Sequence, residues 1–248
     1  MKKYLYHYTS CKSCFEILKH NTLLFNKLKN MNDINELYRP FFFDNINISR
    51  SEMNRKAHRF INQFQQISLT IDGKRKGFDI PAMWGHYADK GKGVCLVIDK
   101  EKFINSLEDN KNIIKHKKIS YTNSFSPEIF YKSTKKDEFY FTDRCIKDIF
   151  FKKTTDWAYE QEYRVIAYAP EQKNRLSCNL GNSIVAIIIF ESYNFRNGKD
   201  TYRSKLQSIN EKIKVLYYTS FLDEKMIVDR ERKTIWSTNK WESIKIDV

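Results

Sequence analysis

The sequence predicts a single α+β domain with a mixed, largely antiparallel β-sheet core and flanking helices. Three observations predict it. Short runs rich in β-branched and aromatic residues recur along the chain, and the later ones follow each other directly. Helical periodicity is confined to a few short segments between them. No regular β-α-β alternation and no GxGxxG turn occurs, which argues against a doubly wound parallel sheet.

In chain order, Tyr4 to Thr9 reads as the first strand. Ser10 follows, and Ser13-Cys14-Phe15-Glu16 is a capping-box pattern opening a short helix through Phe15, Ile17 and Leu18. Thr22 to Phe25 reads as a second strand and Asn30-Met31-Asn32-Asp33 as a loop, with Asp33 and Glu36 able to cap a further turn. From Ser51 onward Met53, Ala57, Phe60, Ile61 and Phe64 recur at helical spacing, with Arg50, Arg55, Lys56 and Arg59 over much of the other side. Ile67 to Ile71 alternates as a strand, and Gly73 to Gly77 is an exposed turn carrying Lys74, Arg75 and Lys76. Pro81 suits the first turn of a helix holding Met83 to Ala88, and Gly91 and Gly93 bracket a turn into the strand Val94 to Ile98.

Ile113 to Tyr121 is strand-like, and Glu138 to Lys152 places Cys145, Ile146, Ile149 and Phe150 on one helical face. The remaining strands are Tyr163 to Tyr168, Ile184 to Phe190, Val215 to Phe221, Met226 to Asp229 and Ser243 to Ile246, with a helix at Tyr202, Leu206, Ile209 and Ile213.

A chain of 248 residues without a Pro/Gly/Ser-rich interruption is expected to form one domain over residues 1–248. Its longest apolar run, Ile184 to Phe190, falls well short of the roughly 20 residues that span a bilayer, and His7 and Lys12 break what would follow a signal n-region at Met1-Lys2-Lys3. The expectation is a cytoplasmic protein with no membrane partner. Five cysteines, an odd number, fit reduced thiols, and Cys11-Lys12-Ser13-Cys14 lacks a second ligand pair at zinc spacing, so no metal is expected. The net charge of +14 attracts polyanions, and nucleic acid is the candidate partner for Arg55, Lys56, Arg59, Lys74, Arg75 and Lys76; an AT-rich genome would give the same Lys-rich composition. Nothing in the sequence fixes the oligomeric state.

Candidate chemistry gathers in three blocks. Tyr4-Leu5-Tyr6-His7-Tyr8-Thr9 places a histidine near a strand end, where sites often lie. Met83-Trp84-Gly85-His86-Tyr87-Ala88 and the following glycines offer rings that stack on a flat ligand and backbone that approaches it; core packing is the competing role for Trp84. In Trp157 to Ile166, read as a strand, the period of two puts Glu160, Glu162 and Arg164 on one face. Crowding raises one carboxyl pKa while Arg164 lowers the other; the competing role is a solvated ion-pair ladder on an edge strand.

These blocks carry a resemblance. MWxHYA and GVCLxxD, followed by KxxxWxYExEYRVI and preceded by YHYT and NDxxE, resemble an uncharacterised bacterial family of unknown function found in mobile and host-defence settings. The order His7, Tyr87, Glu162 is similar to the His-Tyr-Glu pattern of ADP-ribosyltransferases, and Glu160-Gln161-Glu162 resembles the ExE of another branch. The resemblance implies an ADP-ribosyltransferase-like fold and NAD as substrate. His7 would bind a ribose of NAD beside Tyr8 and Thr9. Tyr87, near Trp84, would stack on nicotinamide. Glu162 would hold the nicotinamide-ribose hydroxyl with Arg164 beside it, and Glu160 would orient a nucleic acid or protein acceptor. The helix after Trp84 departs from the second motif of those enzymes, and Ser68-Leu69-Thr70 stands as an alternative to it. A toxin or phage-defence effector is the implied setting. Two other readings stay open: a nuclease using Asp33, Glu36, Glu160 and Glu162 as ligands or His7 and His86 as acid and base, and a non-catalytic nucleic-acid-binding or sensor module.

Overall fold

A computed structural model describes residues 3–33, 50–123, 147, 149–170, 175–190, 204–206, 208–209, 213–221, 224–229 and 234–237. In chain order its elements begin with β1 (Tyr4–Thr9), α1 (Cys11–His20), β2 (Thr22–Leu24), β3 (Asn26–Lys27), α2 (Arg50–Ile61), β4 (Phe64–Ile71), α3 (Pro81–Tyr87), β5 (Val94–Asp99) and α4 (Lys100–Leu107). They continue with β6 (Ile113–Lys118), β7 (Ser120–Thr122), β8 (Lys152–Thr154), β9 (Glu162–Tyr168), β10 (Ser177–Asn179), β11 (Ile184–Phe190), β12 (Lys214–Phe221), β13 (Glu224–Asp229) and β14 (Thr234–Ser237). The fold is mixed α+β with mostly antiparallel strand pairing, as the alternating patterns require.

The chain forms two compact units, Met1–Leu23 with Leu69–Asp109 and Asn179–Val248, and Leu24–Ser68 with Asn110–Cys178. In the first, the strand order is β14-β13-β12-β11-β5-β1, and the end of β4 pairs antiparallel with β1 through Leu5↔Ile71 and Tyr6↔Thr70. β5 is central and lies between β1 and β11, antiparallel to both. That accounts for its continuous apolar run, Val94 to Ile98, which is buried throughout. The β11–β12 pair is parallel, so this part of the sheet contains one crossover among antiparallel neighbours. In the second unit, β9 lies between β4 and β6, with β3 on the other side of β4. Its core joins Leu28, Ile61, Phe64, Ile119, Ile149, Phe150, Phe151 and Ile166.

Several elements depart from their sequence patterns for local reasons. Helix α1 starts a turn earlier than its Ser13 capping box, because Ser10 is the N-cap and its hydroxyl accepts the Ser13 amide at 3.1 Å. Phe64, periodic with α2, is instead the first residue of β4, since α2 ends at Ile61. Helix α4, absent from the sequence reading, is capped by Asp99 through the amides of Glu101 and Lys102 and buries Phe103 and Leu107. The run from Ile113 is interrupted at Ile119, between β6 and β7, although its amide still donates to the carbonyl of Glu162 on β9 at 2.9 Å, in register with the β6–β9 pairing. The segment Trp157–Glu160 is no strand but part of a 3-10 turn, Thr155–Glu160, and Lys152, placed at the end of a helix by its spacing, opens β8. Glu36, most of Glu138 to Lys152, Tyr202 and Ser243 to Ile246 lie outside the described residues.

Candidate functional site

The second unit holds a buried ionic cluster at the start of β9. Gln161 sits between two glutamates with φ +46°, in the left-handed region that costs a non-glycine residue on the order of 1–2 kcal/mol. The kink turns both carboxylates onto one cation: Lys153 Nζ lies 2.8 Å from Glu160 Oε2 and 3.0 Å from Glu162 Oε2. Arg164, two residues along β9, meets the same carboxylate as a fork, Nε to Oε1 at 2.7 Å and Nη2 to Oε2 at 2.9 Å, while Nη1 donates to the Phe150 carbonyl at 2.7 Å. Arg164 is fully buried, and Glu162, Glu160 and Lys153 are at most 6% exposed. Two positive and two negative groups thus leave water together, and each has an opposite charge within hydrogen-bond distance.

The backbone of Glu162 is clamped as firmly as its side chain. Its amide donates to the Tyr121 hydroxyl at 2.8 Å, and its carbonyl accepts the Ile119 amide. The β7–β8 pairing sets Tyr121 beside Lys153, so one short two-stranded element supplies both contacts. Burial pushes the Glu162 carboxyl up, but the charges of Arg164 and Lys153, with hydrogen bonds from Arg164 and Ser68, outweigh it and hold the group at about 2. Burial is also the main reason the Tyr121 phenol is raised. Ser68, on β4, is exposed, whereas the groups it adjoins are buried. Glu160, Glu162 and Arg164 therefore do gather, but around a turn and not along one straight strand. They also form no solvated edge ladder, because they are buried and β9 has a strand on each side.

Sequence reasoning assigned no part to Lys153, although it is the leading lysine of the KxxxWxYExEYR pattern. Its ammonium also lies 5.3 Å from the Trp157 ring centroid, which ties the spacing of that lysine and tryptophan to one contact. The signal was a lysine inside an otherwise aromatic and acidic motif.

The first unit disperses its candidates. His7 is half-buried, in the body of β1, and by the strand's period of two it shares a face with Thr9 and not with Tyr8. Tyr8 meets Trp84 edge-on, with centroids 5.2 Å apart, and donates its hydroxyl to the Gly77 carbonyl at 2.6 Å. Trp84 donates to the Phe78 carbonyl at 2.8 Å and stacks on Tyr218 at 6.0 Å and 16°. Trp84 and Tyr8 are thus interior packing, and Tyr87 is half-buried one turn along α3 from Trp84. His86 and Gly85 are exposed on the same helix.

Gly93 cannot carry a side chain, since a Cβ would lie 2.2 Å from the Thr9 carbonyl oxygen. Cys11 donates to the Lys92 carbonyl at 3.3 Å, and burial raises the thiols of Cys11 and Cys14, the latter to about 12.

The basic residues fall in both units: Arg55 and Arg59 exposed one turn apart on α2, Lys74 and Arg75 exposed and Lys76 half-buried in the turn after β4. The Lys56 side chain lies outside the described residues, and so does Glu36, while Asp33 is buried. Among the described residues no group of three His, Cys, Asp or Glu is arranged to hold a metal ion. No described helix is long and apolar enough to cross a membrane.

Fold and site together define a mixed α+β protein with a buried Lys-Glu-Glu-Arg cluster at a strand start. Residues 83–165, from α3 through the centre of that cluster to Val165, are similar to a family described as "Protein of unknown function (DUF2971)". The match covers a third of the chain and contains Lys153, Glu160, Glu162 and Arg164. No curated protein and no solved structure matches the chain.

Proposed function

We propose that the chain is an ADP-ribosyltransferase-like enzyme that splits NAD and passes ADP-ribose to a nucleic acid or protein acceptor, acting as a toxin or phage-defence effector inside the cell. The observation that carries this reading is Glu162: a carboxylate kept ionised in a buried setting, with a hydrogen bond from Ser68, an exposed residue of β4, contributing to it. A ribose hydroxyl approaching past Ser68 would make the same kind of hydrogen bond. In the reaction the bond from C1′ to the nicotinamide nitrogen breaks with its electron pair leaving on nicotinamide. The oxocarbenium charge left on the ribose is what a fixed carboxylate stabilises. An acceptor nucleophile then forms the new bond to C1′ and loses its proton, with Glu160 positioning it. In the first unit, His7 and Thr9 share the face of β1 opposite Tyr8.

The test is NAD consumption and melting temperature measured together on the wild type, Glu162→Gln, Glu160→Gln and Ser68→Ala. Glu162→Gln keeps the shape and removes the charge, so turnover should fall roughly a hundred- to a thousandfold, about 3–4 kcal/mol. Glu160→Gln should impair transfer more than NAD hydrolysis, and Ser68→Ala should act mainly on KM. Full turnover in folded Glu162→Gln protein overturns the reading. The exposed Arg55, Arg59, Lys74 and Arg75 on a chain of net charge +14 favour nucleic acid as the acceptor.

A further inference from the structure

We infer that Gln66 on β4 is a ligand-contacting residue beside Glu162: its side-chain carbonyl takes one hydroxyl of a vicinal diol, such as a ribose carries, whose neighbouring hydroxyl Glu162 holds. The inference rests on the reading of Glu162 above and adds to it a second contact and a chemical class. Its ground is a buried acceptor with nothing to accept. Gln66 is 1% exposed, and among the described residues its Oε1 is buried without a hydrogen-bond partner. Burying an amide oxygen unpaired costs free energy, and a fold carries that cost where the group has another task. The preceding residue shows the contrast. Gln65, on the opposite face of β4, has its Oε1 filled by the Leu176 amide at 2.9 Å.

The neighbours of Gln66 fix which end of its amide is left over. Residues two apart share a face of a strand, so Gln66 and Ser68 stand on one side of β4, and β4 is the neighbour of β9 in the sheet. Ser68 is exposed and hydrogen-bonds to Glu162. Glu162 meets Arg164 through both oxygens and Lys153 through one, so it is ionised and only accepts. The Ser68 proton is therefore directed at Glu162, and Ser68 Oγ is the acceptor for Gln66 Nε2 at 3.4 Å. The same Nε2 lies 2.8 Å from Met31 Sδ. Exchanging the two ends of the amide would set an oxygen against that sulfur and draw the Ser68 proton away from the carboxylate. The order amide, hydroxyl, carboxylate thus makes the unpaired end an acceptor.

Two acceptors, Gln66 Oε1 and Glu162, are linked in this way through one exposed serine. A partner for both brings two donors on adjacent atoms. It carries no negative charge, which the carboxylate would repel, and no positive charge, since two cations already meet Glu162. Vicinal hydroxyls satisfy each condition: one makes the hydrogen bond that Ser68 makes, and its neighbour donates to Gln66. The cover over the amide is light, because Met31 is half-buried and its unbranched thioether is a weak acceptor.

Methionine has nearly the shape of glutamine and no carbonyl, so full-length Gln66→Met protein separates a ligand contact from a structural one. Without ligand it should melt at or above the wild-type temperature, because it removes an unpaired buried group. By calorimetry it should bind nicotinamide riboside roughly three- to tenfold more weakly than the wild type, the loss of one neutral hydrogen bond. Of the 2′-deoxy and 3′-deoxy ribosides, the one lacking the hydroxyl that Gln66 takes should bind both proteins equally. Adenosine and its two deoxy forms, measured in parallel, show from which side of NAD the diol comes. Gln66→Met protein that fails to fold or melts well below the wild type overturns the inference, because the amide is then structural. Riboside binding that Gln66→Met leaves unchanged overturns it too, as does a wild type that binds no riboside. A wild type that binds ribosides through Gln66 but leaves NAD intact would keep the diol contact and defeat the transferase reading. NAD turnover with a KM unmoved by Gln66→Met would defeat the diol contact alone.

Discussion

The aromatic cluster around Trp84 and the ionic cluster around Lys153 are both buried, and they show how differently two chemically rich motifs become structure. Trp84 is enclosed by Tyr8, Phe190 and Tyr218, and its one polar atom is satisfied by the Phe78 carbonyl. Removal of area from water and ring contact stabilise that region, and neither depends on pH. Around Lys153 four charges have left water together, and the gain depends on every partner being present and ionised. A packed ring loses stability in proportion to what is removed. A charge cluster loses stability in a way that depends on pH, because each deletion leaves a buried charge short of the partner that made it tolerable.

The largest expected effects break the two regions separately. Trp84→Ala should cost about 3–5 kcal/mol by cavity formation, and Arg164→Met a similar 3–5 kcal/mol by taking from the buried Glu162 the larger of its two compensating charges. The pH dependence tells them apart. In urea titrations between pH 8 and pH 4, the deficit of Trp84→Ala should stay constant, whereas that of Arg164→Met should shrink as pH falls and a proton replaces the lost cation. Equal pH behaviour of the two variants would show that the cluster is held by packing and not by charge.

How much of this was legible in the sequence follows from the same contrast. Periodicity found most strands, since Val94 to Ile98 and Ile184 to Phe190 owe their burial to their own side chains. It found Glu160, Glu162 and Arg164 as a group, because spacing of two is a local property. It missed the left-handed Gln161 that turns a presumed strand into a 3-10 turn, since no glycine or asparagine marks the kink. It also passed over Lys153, Tyr121 and Ser68, which reach Glu162 from β8, β7 and β4 and are joined to it only by the pairing of distant segments. Charge partners of that sort are set by topology, and composition does not reveal them. Trp84 illustrates the opposite failure: a ring that looks available to a ligand in a motif has its faces and its N–H committed inside the fold.

A smaller effect sharpens the ionic side. The Glu162 carboxyl is held at about 2, below its unfolded value near 4.3, so its contribution is present above about pH 5 and is lost as pH falls through the folded value. The sign is that of a depressed acid: acidification destabilises. A shift of that size corresponds to a contribution on the order of 3 kcal/mol, and the loss should begin below about pH 5. Urea midpoints of the wild type measured from pH 7 to pH 3 should fall accordingly, and Glu162→Gln, already weaker at neutral pH, should show a shallower fall over the same interval.

The smallest expected effect lies on the surface and leaves both clusters alone. Arg55, Arg59, Lys74 and Arg75 are exposed, so replacing any of them by alanine should change stability by no more than about 0.5 kcal/mol. Binding responds differently. Each lysine or arginine that neutralises one phosphate releases about one counterion, so each such residue removed should lower the slope of log affinity against log salt by roughly one. Titrating single- and double-stranded DNA and RNA with the wild type, the α2 pair Arg55→Ala with Arg59→Ala, and the turn pair Lys74→Ala with Arg75→Ala separates the two basic regions. Where a pair contacts phosphate, its variant should show a slope shallower by about two and an unchanged melting temperature. Equal slopes in wild type and both double variants would remove these residues from the polyanion surface, and negligible binding of the wild type at low salt would remove nucleic acid as the acceptor and turn the search toward protein.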